Sequence, residues 1–202
     1  MRIDKLRSNR RLGVFGGTFD PPHIGHLTVT RQLLETNCLD EVIWVPANHP
    51  PHKLNDDITP PGLRLEMVNA ATEGFDGHMV SDIEIRRGGQ SYTVDTLSNM
   101  RLEYPEADLS LIIGADQFSE FSKWKNTEEI VQLARLWVLT REGQDPSYID
   151  PGVDVEWSPI QVTRIDVSSS EIRRCIRKGE PFRHFLSNKV AKIIVREELY
   201  LH

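Results

Sequence analysis

The sequence predicts an open α/β fold, doubly wound around a mainly parallel sheet. Three observations carry this expectation. Short apolar runs alternate with helix-patterned stretches along the chain, the pattern that gives parallel strands with crossover helices on both faces. Several runs stop at glycine or proline, as buried strands do where the chain turns into a loop or helix. The segments richest in glycine and serine follow such runs, at the strand ends where sheets of this kind bind ligands.

The elements follow in order. Arg11–Phe15 (RLGVF) is an apolar run ending at Gly16-Gly17 and reads as the first strand. His23–Thr36 carries a helical pattern through Ile24, Leu27, Leu33 and Leu34. Glu41–Pro46 (EVIWVP) is rich in β-formers and closed by proline, hence the second strand. A helix is expected over residues 62–73, and Met79–Ile85 (MVSDIEI) alternates like a strand. Val94–Glu103 reads as a helix, Leu109–Ile113 as a strand ending at Gly114, Thr127–Leu133 as a helix and Leu136–Thr140 as a strand. Val153–Ile160 is the last strand expected, and Ser169–Lys178 and Ser187–Tyr200 are two closing helices. Pro46–Pro61 is a polar, proline-rich loop and a candidate lid.

The chain has 202 residues, a length that suits a single domain spanning 1–202, with residues 1–9 expected as a flexible, solvated leader. Hydrophobic residues make up 39% and charged residues 27%, a globular composition with no apolar run near the roughly 20 residues a membrane helix needs. The basic start, MRIDKLRSNRR, has no apolar stretch behind it and is no secretory signal. A net charge of -6 argues against a nucleic-acid partner. Cys38 and Cys175 form neither a disulfide framework nor a zinc spacing, which suits the cytoplasm. Self-association stays open.

The most informative segment is Gly16–Leu27, GGTFDPPHIGHL. Gly16 and Gly17 let backbone approach a ligand with no Cβ in the way. Thr18 adds a hydroxyl, and Pro21 and Pro22 fix the chain before the helix. His23 and His26 stand three apart, so both imidazoles share one face of the first helical turn. That turn also presents free N–H groups and partial positive charge, a natural phosphate site. The helix end disfavours charged histidines and a bound phosphate favours them, yet a neutral imidazole still donates from one nitrogen. A surface capping loop is the plainer reading of a lone histidine. Zinc fits poorly, because no third ligand is apparent.

A second helix start lies in Asp166–Arg177, DVSSSEIRRCIR. Ser168 with Glu171 fits an S-x-x-E capping box, and Arg173, one turn in, can fork onto phosphate oxygens. Arg174 and Arg177 are expected in solvent. In isolation this is an ordinary capped amphipathic helix; beside the histidines it is a second grip on a phosphate chain. Weaker candidates are Lys53 in the proline-rich loop, Arg64 shortly after it, the helix start in Gly88–Leu97 (GGQSYTVDTL), and Trp124-Lys125 with its aromatic face. Each has an equally ordinary alternative: a solvated lysine, a capped helix, a core tryptophan.

The first segment resembles the (T/G)xFDPxHxGH motif of the nucleotidyltransferase superfamily, and its longer form resembles the bacterial nicotinate-mononucleotide adenylyltransferases. Val167, Ser168, Ser169, Ser170 and Arg173 match the family's (I/V)SSTxxR, with Ser170 where threonine is usual. PHK at Pro51–Lys53, GxSYTxDTL at Gly89–Leu97, GxD at Gly114–Asp116 and Trp124 occur in the family's order, so the similarity runs from about residue 11 to 200.

The resemblance implies a Rossmann-like nucleotidyltransferase fold and transfer of AMP from ATP to nicotinate mononucleotide, giving deamido-NAD and pyrophosphate. It implies His23, His26, Arg173 and Lys53 as catalytic groups. ATP would lie on Gly16, Gly17, Thr18, Phe19, His23, His26, Gly114, Asp116, Ser168, Ser169, Ser170 and Arg173. The acceptor would lie on Lys53, Tyr92, Thr93, Trp124 and Lys125, although many relatives carry an aromatic residue at the last position. Mg²⁺ would arrive with ATP rather than on dedicated side chains. Two alternatives stay open: another acceptor, such as phosphopantetheine or nicotinamide mononucleotide, and a nucleotide-binding module without catalysis.

Overall fold

The computed structural model describes residues 9–36, 38–51, 58–141, 145–163 and 165–201. Its elements in chain order are β1 (Arg11–Gly17), α1 (Ile24–Glu35), β2 (Glu41–Pro46), α2 (Pro61–Thr72), β3 (His78–Val80), α3 (Ile83–Arg87) and α4 (Thr93–Glu103). Then come β4 (Asp108–Gly114), α5 (Ala115–Phe118), α6 (Thr127–Leu133), β5 (Arg135–Arg141), β6 (Trp157–Val162), α7 (Ser169–Arg177) and α8 (Asn188–Arg196). Among the described residues six strands form one sheet in the order β3-β2-β1-β4-β5-β6, every neighbouring pair parallel. The chain winds outward from β1 to β3, then returns to lay β4 against the other side of β1. Strand order therefore reverses between β1 and β4, and a crevice opens there at the carboxyl ends.

Side-chain alternation divides the core between the two sheet faces. Leu12 and Val14 of β1 with Ile43 and Val45 of β2 pack against Leu97 and Met100 of α4 and Ile130 of α6. The intervening Phe15, Val42 and Trp44 face the other way, against Leu33 of α1 and Val68 of α2. Both faces of the central strands are thus covered, so their sequences are apolar runs rather than alternations. Each fully buried Leu12, Leu33 or Leu97 contributes about 1.5–3 kcal/mol of burial. A third cluster, Met67, Ile172, Val190 and Ile194, joins α2, α7 and α8. It brings the end of the chain under the site.

The doubly wound parallel fold is as the sequence predicts, and three elements differ. The strand expected over Met79–Ile85 is only β3; Ile83–Arg87 is a helix. The alternation holds only over Asp82–Ile85, where Ile83 and Glu84 are both buried, and β3 is an edge strand with β2 as its neighbour in the sheet. Glu84 in the first turn, Arg86 and Arg87 in the last, and an Arg86–Asp82 pair at 2.7 Å all favour helix. The last strand lies over Trp157–Val162 rather than Val153–Ile160, in register with β5. The closing helix stops at Arg196, not Tyr200, because Glu198 and Tyr200 take positive φ (51° and 66°) and turn the tail inward. Of the expected leader only Asn9 lies within the described residues. No helix among them is long and apolar enough to cross a membrane.

Candidate active site

The site begins where β1 runs out. Gly16 faces open space, with nothing within 4 Å of where a Cβ would stand, so the backbone is bare toward the crevice. Gly17 is glycine for a different reason: a Cβ there would lie 2.9–3.2 Å from atoms of the Phe19 ring. Phe19 itself has φ 50° and turns the chain back. Its ring is buried beneath the turn, 5.5 Å from Phe15 and 5.2 Å from His26, so any contact between Phe19 and a nucleotide falls to its backbone.

His23 caps α1, with φ −139° and ψ 172°. Its ring stacks on that of His26 at 3.7 Å and 23°. The Nδ1 of His26 accepts the backbone N–H of His23 at 3.2 Å, which places the proton of the neutral ring on Nε2. Nδ1 of His23 is buried and has no partner. Among the described residues no group bonds Nε2 of either ring. Gly25 makes the stack possible, because a Cβ there would sit 3.0 Å from His23 Nδ1 and 3.1 Å from Val167 Cγ1. Burial pushes the His23 pKa down to about 4. Burial, then repulsion from His23, holds that of His26 well below 6.5. Both rings are neutral donors at neutral pH, and desolvation rather than the helix end is the main cause.

The serine-rich helix start joins this turn directly. The Ser169 hydroxyl donates to the carbonyl of Pro21 at 2.9 Å, and Arg173 Nη1 donates to the carbonyl of Asp20 at 2.8 Å. Arg173 Nη2 also reaches Ser170 Oγ at 3.3 Å. With two of its five N–H groups so used, the guanidinium keeps donors for a ligand. Ser168 caps α7 by accepting from the Glu171 N–H at 3.1 Å. The other half of the expected capping box is missing: the Glu171 carboxylate pairs with Arg174 at 2.6 Å instead. Arg174, expected in solvent, is thereby held by Glu171 and by Glu180 at 2.9 Å.

Across the crevice, Gly114 ends β4 and caps α5. A Cβ on it would stand 2.6 Å from Asp116 Oδ1, so glycine lets that carboxylate fold back over the strand end. Asp116 is exposed. Among the described residues no group of three or more His, Cys, Asp or Glu could cage a metal ion. One exposed carboxylate does fit Mg²⁺ carried on phosphates, an ion that keeps several waters and uses one or two protein carboxylates.

The remaining candidates gather beside β2. The backbone N–H of Asn48 donates to Ser91 Oγ and its Nδ2 to the carbonyl of Gly89, both at 2.8 Å; the Ser91 N–H donates to the carbonyl of His49 at 2.9 Å. This zipper sets Tyr92 as the cap of α4 and Thr93 as its first residue. Lys125 Nζ lies 4.6 Å over the Tyr92 ring and 3.3 Å from Asp95. Trp124 is half-buried with its ring 5.5 Å from Phe121, so one part of it serves the core. Lys53, with His52, lies outside the described residues.

Sequence reasoning passed over two groups beneath these loops, Asp20 and Glu84, and named a third, Arg64, only as a weaker candidate. Asp20 is buried, accepting from Tyr200 Oη–H at 2.6 Å and from the Thr59 N–H at 3.3 Å. Glu84 is buried and accepts from Thr96 Oγ1–H; burial raises its pKa. Arg64 is fully buried. The one available signal was Asp20 within the quoted FDP motif.

Comparison with known proteins agrees with this geometry. The model of the cytidylyltransferase-like family matches residues 14–175. The chain is 37% identical over 191 residues to a probable nicotinate-nucleotide adenylyltransferase of Shouchella clausii, covering 95% of this chain and 97% of the relative. It is 39% identical over 195 residues to one of Gemmatimonas aurantiaca, covering 94% and 92%. In fold it is similar to the nicotinic acid mononucleotide adenylyltransferase of Plasmodium falciparum solved with NaAD, with a TM-score of 0.80, 18% identity, and 95% and 98% covered. A match spanning both helix starts, the β4 turn and the loops beside β2 leaves one assignment: the chain belongs to the nicotinate-nucleotide adenylyltransferases, within the cytidylyltransferase-like family.

Proposed function

We propose that the protein transfers AMP from ATP to nicotinate mononucleotide, producing deamido-NAD and pyrophosphate, in NAD biosynthesis. One observation carries the reading: α7 is bonded to the carbonyls of the very turn that opens α1, so the imidazoles and the serine-arginine cluster line one cleft. Two helix N-termini at one place make a strong anion site, suited to a phosphate chain.

The chemistry follows from these groups. An oxygen of the acceptor phosphate attacks the α-phosphorus of ATP; the new P–O bond forms as the bond to the β-phosphate oxygen breaks, and pyrophosphate leaves with the electron pair. The nucleophile is already ionised, so no strong base is needed. Nε2–H of His26, the free N–H groups of Arg173 and the start of α7 meet charge as it develops. Neutral imidazoles suit this task, because they donate without having to gain a proton first. Bound Mg²⁺ supplies further charge neutralisation on the phosphates, with Asp116 as the carboxylate that would hold it. On the acceptor side, Tyr92, Thr93, Trp124 and Lys125 present a helix start and an aromatic face, which suits a ring bearing a carboxylate. Lys53 would add a cation from its loop. The free thiols of Cys38 and Cys175 suit the cytoplasm.

The test is a comparison of acceptors at equal concentration with ATP and Mg²⁺. Nicotinate mononucleotide should release pyrophosphate and give dinucleotide fastest, ahead of nicotinamide mononucleotide and phosphopantetheine. ATP binding with no product from any of the three would replace this reading with a nucleotide-binding module.

A further inference from the structure

Arg64 is fully shielded from water, and it stands in the first turn of α2, where the helix dipole opposes a cation. Burial lowers its pKa, partly offset by Asp20, Tyr200 and Glu84. Arginine is kept in such a place only when its donors are used. Nε donates to the carbonyl of Thr59 at 2.8 Å, Nη1 to that of Thr18 at 2.8 Å and Nη2 to that of Asn48 at 3.0 Å. Thr18 belongs to the glycine turn that faces ATP. Asn48 carries the loop of Ser91 through its own two bonds. One rigid fork thus ends on both halves of the site.

We infer that Arg64 is a positioning residue for the transfer step: its guanidinium fixes the glycine turn and the Asn48–Ser91 loop at one separation, and so holds the two reacting phosphates in line. The inference deepens the adenylyltransferase reading and rests on it. A backbone bond from Ala47 N–H to the Gly17 carbonyl at 2.9 Å also joins the two segments, so they stay together without Arg64 but lose their set spacing. Lysine is a point charge without the planar fork and cannot serve three divergent carbonyls.

Arg64→Lys keeps the charge, and Arg64→Met keeps the stem. Both are compared with the unsubstituted chain well below their own unfolding midpoints. In each, kcat should fall about 100-fold, the effect of misplacing reactants by about 1 Å, with KM for ATP and for nicotinate mononucleotide within about threefold. Amide hydrogen exchange should quicken at residues 16–20 and 47–49 together. Unchanged exchange in those two segments would overturn the inference, as would normal kcat per folded molecule despite quickened exchange. Failure of the unsubstituted chain to transfer AMP would count against the adenylyltransferase reading instead, and the exchange data would still decide whether Arg64 ties the loops.

Discussion

His26 uses its two ring nitrogens for two different jobs, and paired substitutions can separate them. Nδ1 accepts the His23 N–H at 3.2 Å and steadies the start of α1; in the proposed mechanism Nε2 donates into the cleft. Asparagine places its amide oxygen near the site of Nδ1 but has nothing at Nε2. Glutamine does the reverse. Losing the cap bond costs about 1 kcal/mol of stability. Losing a donor aimed at the transition state costs about 2.7–4 kcal/mol, or about 100- to 1,000-fold in kcat. His26→Asn should therefore unfold in urea within about 0.5 kcal/mol of the unsubstituted protein yet turn over about 100- to 1,000-fold more slowly. His26→Gln should be about 1 kcal/mol less stable and lose no more than about tenfold in kcat. Pyrophosphate release at saturating ATP and acceptor reads the rate. The reasoning is refuted if His26→Asn keeps kcat within about threefold, a difference worth well under 1 kcal/mol.

Other perturbations test other parts. His23 has its pKa depressed to about 4 in the folded state, so the unfolded chain binds the extra proton first. Its stabilising contribution is therefore complete above about pH 6.5 and declines as pH falls from 6.5 toward 4. Between pH 7.5 and 5 the unsubstituted protein should lose at most about 2 kcal/mol more than His23→Gln in urea titrations; equal losses would refute the burial argument. Arg173→Lys removes the link to the Asp20 carbonyl along with the fork; kcat should drop at least about 100-fold, measured by pyrophosphate release. Gly114→Ala drives Asp116 aside, since only a flexible exposed carboxylate must move. Stability should change by less than about 1 kcal/mol while the Mg²⁺ needed for half-maximal rate rises about tenfold, read from a magnesium titration.

Much of the site was legible because its signals are local. Glycine pairs, a proline pair before a helix, histidines three apart and a serine cap each act within a few residues. The strand Glu41–Pro46 and the helix Thr127–Leu133 were readable to the residue, since an apolar run or a helical period was bounded by clear stops. MVSDIEI misled because four alternating residues, Asp82–Ile85, are too few to tell period two from 3.6, and in the helix Ile83 and Glu84 are both buried.

Sequence alone determined the doubly wound parallel architecture, the two helix starts proposed as the phosphate grip and the family to which they point. Tertiary structure alone decided that these starts are bonded through Pro21 and Asp20, 148 and 153 positions from their donors. It also decided that Arg64, one more cation in the sequence, is buried on the carbonyls of Thr18 and Asn48, 46 and 16 positions away. The physical reason is range. Dihedral preference, periodicity and capping are set by neighbours in the chain, whereas a buried donor's partners are set by how the elements pack, and nothing within a few residues of Arg64 records which carbonyls that packing will bring to it.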